Sequence, residues 1–448
     1  MNSPVQFLTS GPNTTNRFAL VSVSELRPAP QNARKHSLSQ LRKLAESIKT
    51  FGFNAPVLAD RDNNILAGHG RVLAAQMLGL SQVPVISLDH LSEQQARAYM
   101  LADNKLTDLS DWDDKKLAVQ LKDLSEMALD FEIEAIGFDP PEIDFRIQSL
   151  EEPTPGDDVD GFSVALPDPV SAVGDIWQLG EHRLYCGSAL DSAAYSKLLH
   201  GELAAAAFTD PPYNVRIDGH VSGKGAVQHR EFPMATGEMS NSEFRSFLTS
   251  AMAAINRYTA AGALIYCCMD WRHMTEMLDA GRSSGSELLN LCVWVKTNGG
   301  MGSLYRSRHE LVFLFKNGSA SHQNNVQLGR FGRNRTNVWN YAGANSFGRK
   351  GFGRGIELHP TVKPVLMVAD AILDCTKRHE IVLDPFFGSG TTLLAAERTG
   401  RRCYGIELDP IYVDTAIERW QRMTGRKAAS PLGETYDFIK AKRRPTNE

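Results

Sequence analysis

Ile381-Val382-Leu383-Asp384-Pro385-Phe386-Phe387-Gly388-Ser389-Gly390-Thr391-Thr392 reads as an apolar strand, a glycine turn and the start of a helix. Gly388 and Gly390 let the backbone approach a ligand closely, and Thr391 or Thr392 is placed to cap the helix that runs through Leu393 to Glu397. One helix later comes a second apolar strand, Arg402–Ile406, ending in Glu407-Leu408-Asp409. An acid at the end of the second strand of a strand–helix–strand unit is where a ribose hydroxyl is held. The turn is not a phosphate cradle: it lacks Gly-Lys-Ser/Thr, and Asp384 would repel a pyrophosphate. A carboxylate suits a cofactor with a positive amino group, and an amino acid joined to a nucleoside describes S-adenosylmethionine. The candidate cofactor contacts are Asp384, Pro385, Phe386, Gly388, Gly390, Thr391 and Glu407.

Upstream, Leu203–Phe208 is another apolar strand, and Thr209-Asp210-Pro211-Pro212-Tyr213 follows at its C-terminal end, where open α/β sheets place ligands. Two consecutive prolines fix φ and remove two backbone donors, so the turn is stiff and its carbonyls are free to accept. That suits an exocyclic amine. Asp210 accepts from one N–H and the Pro211 carbonyl from the other, which raises electron density on a nitrogen that must attack a methyl sulfonium. Tyr213 offers a face on which a flipped base can stack. Asp210, Pro211, Pro212 and Tyr213 are therefore the candidate catalytic group.

Working outward, short apolar strands alternate with amphipathic helices to about Thr424: Ala204–Phe208, Ala263–Cys268, Leu291–Val295, Leu311–Phe315, Ile381–Leu383 and Cys403–Ile406. The alternation predicts a doubly wound, Rossmann-like α/β sheet over residues 173–425, followed by a tail, 426–448. Residues 151–172, rich in Pro and Asp, read as a linker, and 107–150 as an acidic helical segment. Residues 15–106 read as a small α+β module: a strand near Val21, a helix over Leu38–Phe51, strands at Ala55–Leu58 and Asn64–Ala67, a helix over Val72–Leu78, a strand at Val83–Ser87 and a helix over Glu93–Ala102.

The 448 residues are 42% hydrophobic and 22% charged, which is a globular composition. No apolar run approaches the roughly 20 residues of a membrane span, and the N-terminus lacks the pattern of a secretory signal. Six cysteines without metal-ligand spacing read as reduced core residues of a cytoplasmic protein, with no metal site expected. The net charge of −4 conceals an asymmetry. Residues 106–160 hold 17 acids and 4 bases, whereas Arg330–His359 hold 6 bases and 1 acid. A polyanion responds to the patch and not to the total.

Taken together, the two sites resemble those of the DNA N6-adenine and N4-cytosine methyltransferases. Here the Asp-Pro-Pro-Tyr motif precedes the glycine motif by about 170 residues, as in the circularly permuted beta-type members, where a target-recognition region lies between. Gly174-Asp175-Ile176-Trp177-Gln178-Leu179-Gly180-Glu181-His182-Arg183 resembles the family's lead-in to its first strand, and His309-Glu310 before Leu311–Phe315 a later motif. His359-Pro360-Thr361-Val362-Lys363-Pro364 resembles the family's segment beside the cofactor, so the resemblance implies that Thr361 and Lys363 contact it. The chain departs from the family at Cys186-Gly187-Ser188-Ala189, where Cys-Gly-Asp-Ser is common; Asp191 is the nearby acid that would substitute.

The resemblance implies direct methyl transfer from S-adenosylmethionine to the amino group of a flipped base in double-stranded DNA. Adenine N6 is favoured over cytosine N4, because N4 enzymes more often begin the motif with Ser. It also implies a possible homodimer and a kinship with restriction-modification enzymes. A recognition insert is expected at about 317–358, with Arg330, Arg333, Arg335, Arg349, Lys350 and Arg354 among aromatic residues, glycines and asparagines as the DNA-binding set. RNA or protein-glutamine methylation, and a non-catalytic DNA-binding or partition factor, stay open as other classes.

In the N-terminal module, Ala67-Gly68-His69-Gly70-Arg71-Val72-Leu73-Ala74-Ala75 and Leu101-Ala102-Asp103-Asn104-Lys105 resemble the ParB/sulfiredoxin-like domain. The sulfiredoxin cysteine is absent. Gly68, His69, Gly70 and Arg71 stand where a helix N-terminus can take a nucleotide phosphate. Nucleotide binding, DNA binding and a structural role are not separated by these residues.

Overall fold

The structure, a computed structural model, describes residues 17–107, 109, 112–150, 169–214, 237–296, 304–330, 333, 335–341 and 363–443. The chain divides into two units, residues 1–150 and 151–448. Among the described residues no helix is long and apolar enough to cross a membrane.

The N-terminal unit runs β1 (Arg17–Ser22), α1 (Leu38–Phe51), β2 (Val57–Ala59), β3 (Ile65–Ala67), α2 (His69–Met77), β4 (Gln82–Ser87), α3 (Glu93–Thr107), α4 (Asp114–Glu126) and α5 (Pro140–Gln148). Its four strands lie in the order β1-β4-β2-β3, with β2 and β4 parallel and the other two pairs antiparallel. Helix α1 starts where Ser37 accepts from the Gln40 N–H and stops at Gly52, φ 85°. Helix α2 begins three residues before the predicted Val72, because Gly68 takes the left-handed conformation and lets His69 enter the helix directly. Helices α4 and α5 bury Leu117, Leu121, Ile143 and Ile147 against one another.

The C-terminal unit runs β5 (Ile176–Leu179), β6 (His182–Cys186), α6 (Ser192–Leu199), β7 (Ala204–Thr209), α7 (Asn241–Tyr258), β8 (Thr259–Met269), α8 (Met274–Ser283), β9 (Ser286–Val295), β10 (His309–Asn317), β11 (Val338–Asn340), α9 (Val365–Leu373), β12 (Ile381–Asp384), α10 (Thr391–Thr399), β13 (Arg402–Glu407), α11 (Pro410–Thr424) and α12 (Tyr436–Arg443). The nine strands form one sheet in the order β11-β9-β10-β8-β7-β12-β13-β6-β5. Strands β8, β7, β12, β13 and β6 are parallel neighbours, while β10 and β5 join antiparallel.

The sheet is doubly wound because its central strands are apolar on both faces. On one face Ala206, Phe208, Val382 and Cys403 pack with α9, α10 and α11. On the other, Ala207, Leu383, Tyr404 and Ile406 pack with α6, α7 and α8.

Both ends of the unit are tied to its core. Asp414, fully buried on α11, accepts from the backbone N–H and hydroxyl of Ser171, at 3.0 and 2.6 Å. The segment read from sequence as a tail is built into the unit: Tyr436 meets Trp177 edge-on at 5.3 Å, and Arg443 pairs with Asp175.

Gly390 is set by packing. Its φ is +83°, and a Cβ there would stand 2.8 Å from the Ala416 Cβ of α11. Gly390→Ala is expected to cost about 2–4 kcal/mol, from the left-handed backbone plus overpacking. Chemical denaturation should show the loss as a lower unfolding midpoint, and an unchanged midpoint would refute it.

Candidate functional site

The sheet collects its reactive groups at one edge. Asp210 follows β7, Asp384 ends β12 and Glu407 ends β13, all at the C-terminal ends of parallel strands. Strand β10 runs the other way, so its beginning, with Glu310, reaches the same edge, and Lys296 follows β9 beside it. The edge thus gathers acids from four strands, in the position where such sheets bind ligands.

The glycine turn is organised by two carboxylates, Asp384 buried and Glu407 partly buried. Asp384, 4% exposed, accepts from the Thr392 hydroxyl at 2.6 Å, the Thr209 hydroxyl at 3.0 Å and the Phe386 N–H at 3.2 Å. It therefore ties the glycine turn to the strand that carries Asp210. This differs from the expectation of an Asp384 turned outward to a ligand ammonium. The expected hydroxyl cap is also replaced: Gly390 occupies the N-cap of α10 with no side-chain bond, Thr391 is buried, and Thr392 serves Asp384. Glu407 accepts from the Gly388 N–H at 2.7 Å and the Asp409 N–H at 2.8 Å, one on each oxygen. Each oxygen keeps a lone pair for a hydroxyl donor. Pro385 is buried; Phe386 packs against Phe247 at 5.8 Å, and Phe387 turns to the opposite face against Gly405.

Burial pushes the carboxyls of both Asp384 and Glu407 up to about 7, against the bonds they accept. Repulsion from Asp409 and Asp384 adds to the effect on Glu407, and repulsion from Asp210 adds to that on Asp384. Carboxylates in this condition are relieved by a cation and made worse by a phosphate. S-adenosylmethionine, with a sulfonium, an ammonium and a ribose diol, fits this set of acceptors.

Asp210 sits in a chain of charges that sequence reading did not assemble. Its Oδ2 accepts from the Lys363 Nζ at 2.6 Å and its Oδ1 from the Tyr213 hydroxyl at 2.7 Å. Lys363 also pairs with Glu310 at 3.1 Å, and Glu310 pairs on its other oxygen with Lys296. Lys363, expected from the resemblance to contact the cofactor, is placed against the Asp-Pro-Pro-Tyr motif. Its side chain is 5% exposed and that of Glu310 9%, while Asp210 keeps 19% open to solvent.

Burial raises the Asp210 carboxyl; Lys363 opposes that and Glu310 adds to it, leaving it above the ordinary range. Burial would raise Glu310 too, but Lys363 and Lys296 outweigh it and hold the group at about 2. Lys363 stays firmly cationic, because Asp210 and Glu310 overcome its desolvation. Tyr213, whose phenol burial holds neutral, is pinned by its hydroxyl, and the Lys363 ammonium lies over its ring. Pro211 is buried and Pro212 partly exposed. Sequence held one sign of Glu310, the His309-Glu310 pair before an apolar strand, and none of Lys296.

The recognition region divides. Arg330 is exposed. Arg333 and Arg335, expected to face DNA, are ion-paired within the unit: Arg333 binds Asp374 at 2.7 Å, and Arg335 binds Asp370 at 2.9 Å and Asp374 at 3.2 Å. Those acids belong to α9 and its C-cap, so the two guanidiniums fasten the start of β11 to the helix that follows Lys363. Arg349, Lys350, Arg354 and Thr361 lie outside the described residues. Asp191, the nearby acid, caps α6 by accepting from the Ala193 N–H.

In the N-terminal unit, Arg71 folds back over Gly68 and donates to the Pro56 carbonyl at 3.1 Å, leaving its Nε buried without a partner. His69 accepts from the Ala29 N–H, and burial lowers its pKa, so its ring is neutral. Gly70 packs beside His36 and Leu44.

Comparison with known proteins matches residues 204–418 to the DNA methylase family of N6/N4 type. Residues 204–418 form a domain of the N6/N4 DNA methylase family, preceded in the chain by a ParB N-terminal domain. Residues 9–105 match the ParB N-terminal domain and residues 115–173 the ParB-methyltransferase HTH domain. The latter spans the acidic helical segment and the stretch read as a linker. The ParB-like nuclease domain-containing protein YnaK of Escherichia coli (strain K12) is 52% identical over 73 residues, 16% of this chain and 84% of that protein. The putative methylase YubD of the same organism is 27% identical over 200 residues, 45% of this chain and 74% of that protein. Among solved structures, PvuII DNA methyltransferase (cytosine-N4-specific) aligns with a TM-score of 0.42 and 15% identity, over 61% of this chain and 94% of that one. M1.HpyAVI aligns at 0.38 and 19%, over 53% and 96%.

Asp384 and Glu407 bind protons more tightly folded than unfolded. The stability they contribute is therefore complete below about pH 4 and is lost as pH rises through about 7. Glu407→Gln removes one of the two groups. Between about pH 5 and about pH 8 the variant's denaturation midpoint should fall less than that of the wild type. Equal falls would show that Glu407 ionises normally.

Proposed function

We propose that the C-terminal unit methylates the exocyclic amino group of a flipped base at a specific sequence in double-stranded DNA, and that the base is adenine, at N6. The observation that carries this is the adjacency of β7 and β12. It sets the Asp210–Tyr213 turn beside the Asp384–Thr392 turn at one sheet edge. The choice of adenine rests on Asp at the head of the motif.

The residues that would hold the cofactor are Glu407, toward the ribose hydroxyls, and the turn through Gly388 and Gly390. Bound S-adenosylmethionine supplies an electrophilic methyl group. Asp210 accepts one amine N–H and the Pro211 carbonyl the other, turning the nitrogen lone pair outward. The carboxylate, with one lone pair left on each oxygen, then takes the proton that the methylated amine must lose. Six buried free cysteines lie in the described unit, and the direct in-line reading uses none of them as a nucleophile. The ParB N-terminal and HTH matches support a further DNA-binding role for the N-terminal unit.

Incubation with labelled S-adenosylmethionine and duplex DNA, followed by nucleoside analysis, tests the reading. Label should appear as N6-methyladenine, and Asp210→Ala should lower the rate by about 10²-fold or more while cofactor binding persists. Label in cytosine alone would move the assignment to N4, and an Asp210→Ala rate equal to wild type would end it. Arg349, Lys350 and Arg354 are assigned to DNA phosphates. Replacing all three with Ala should weaken DNA binding across sequences and reduce the salt slope of log K by about 2–3. An unaltered slope would remove them from the interface.

A further inference from the structure

The charges behind Asp210 alternate in sign: Lys296, Glu310, Lys363, Asp210. They come from four separate places in the chain: the end of β9, the start of β10, the segment before α9 and the end of β7. Lys363 and Glu310 are nearly withdrawn from solvent. A buried ion pair is weak support for stability, since apolar residues of similar volume often serve as well or better. Stability alone therefore does not account for four charges that end at the one carboxylate left open to solvent.

Such a chain does supply orientation. Lys363 and Tyr213 each take one Asp210 oxygen, fixing the carboxylate plane while leaving one lone pair per oxygen. Glu310 holds Lys363 in place from behind, with Oε2 toward Lys363 and Tyr213 and Oε1 on Lys296. The antiparallel pairing of β9 and β10, with Trp294 opposite Glu310, brings the Lys296–Glu310 pair to this edge.

We propose that Lys363, Glu310 and Lys296 are positioning residues that hold the Asp210 carboxylate, ionised and correctly turned, at the amino-group site. The proposal rests on the methyltransferase reading of Asp210. None of the three touches the reacting atoms; each acts through the next. The titratable and charged groups facing Asp210 are Lys363, Glu310 and Tyr213, with Cys267, Cys268 and Asp384 acting at longer range. Lys363 is faced by Asp210, Glu310, Cys268 and Tyr213 and by the ring of Trp294. Burial keeps both thiols neutral, so among the described residues the nearest charges are the four in the chain, with Asp384 farther off.

Their alternation fixes the sign of each variant's effect. Losing a positive neighbour makes Asp210 easier to protonate; losing the negative one makes it harder. In the full-length protein, single-turnover methylation is measured against pH with saturating S-adenosylmethionine and duplex DNA. Lys363→Met should move the acid limb of the rate profile up by about one pH unit or more, and Lys296→Met should move it the same way by less. Glu310→Gln should move it down. Lys363→Arg should restore most of the Lys363→Met loss, and cofactor affinity should stay within about twofold throughout.

Equal rate losses at every pH, with the limb unmoved in all variants, would overturn the proposal. So would a tenfold or greater loss of cofactor affinity in Lys363→Met with the limb in place, which would return Lys363 to the cofactor. Asp210→Ala is run alongside: activity equal to wild type sinks the methyltransferase reading itself, a result distinct from either of those. Should Lys363→Met fail to fold, the double variant Lys363→Met/Glu310→Gln removes one charge of each sign. Titration of the Asp210 carboxyl by carbon NMR in Glu310→Gln and Lys296→Met then reads the same opposed shifts without needing turnover. Absence of those opposed shifts overturns the proposal.

Discussion

The parallel pairing of Val382 with Ala206 and of Leu383 with Ala207 is the contact on which the C-terminal unit depends. It joins strands separated by about 170 residues, so both of the turns that follow them open side by side. The Asp384 carboxylate extends the link beyond the backbone. With one bond to Thr209 and another to Thr392, it holds the last residue before the Asp-Pro-Pro-Tyr motif and the first turn of α10 in one frame. A buried carboxylate at a strand end is costly unless hydrogen-bonded. Three donors meet that need here, and the residual strain appears as an affinity for protons or for a cation.

The same edge is an electrostatic compromise. Four strands deliver acids to it because strand ends are where a sheet's side chains can converge on a ligand. Near Asp210 the repulsion is answered within the protein by Lys363 and Lys296, and Glu310 sits far below its ordinary range as a result. At the glycine turn no lysine or arginine is paired with Asp384 or Glu407 among the described residues, and both carboxyls rise to about 7. One half of the edge is internally neutral; the other is arranged for a positively charged guest. That division matches a chemistry in which the acceptor base is neutral and the cofactor carries the charge.

The recognition region shows how one residue type serves two purposes. Arg333 and Arg335 are bound to Asp370 and Asp374, and Tyr341 also bonds to Asp370. Arg335 is held more strongly protonated than usual by those acids, despite its desolvation. These groups anchor the region to α9, directly after the lysine that contacts Asp210. The anchoring is mechanical, and it leaves Arg330 as the exposed arginine among the described members of the set.

By itself the sequence determined the local elements and the two motifs. Short apolar runs such as Ile381–Leu383 and Ala204–Phe208, bounded by turn residues, read as buried strands, and Gly-Ser-Gly after the first reads as a sharp turn into a helix. Those properties are local, so they are legible in order along the chain. The boundaries moved where a local rule had a competitor: Gly68 let α2 begin at His69, and Gly390 displaced a threonine cap. What only the tertiary structure decided was pairing. A lysine reads the same whether it meets a cofactor or a carboxylate, and Lys363 turned to Asp210 because the sheet brings β7 and β10 to the segment before α9. An arginine reads the same on DNA or on a helix, and Arg333 and Arg335 chose the helix because α9 presents two acids one turn apart. Lys296 and Glu310 carried no signal in Lys296's case and a faint one in Glu310's. Charge partners are set by distance through space, which sequence spacing does not encode.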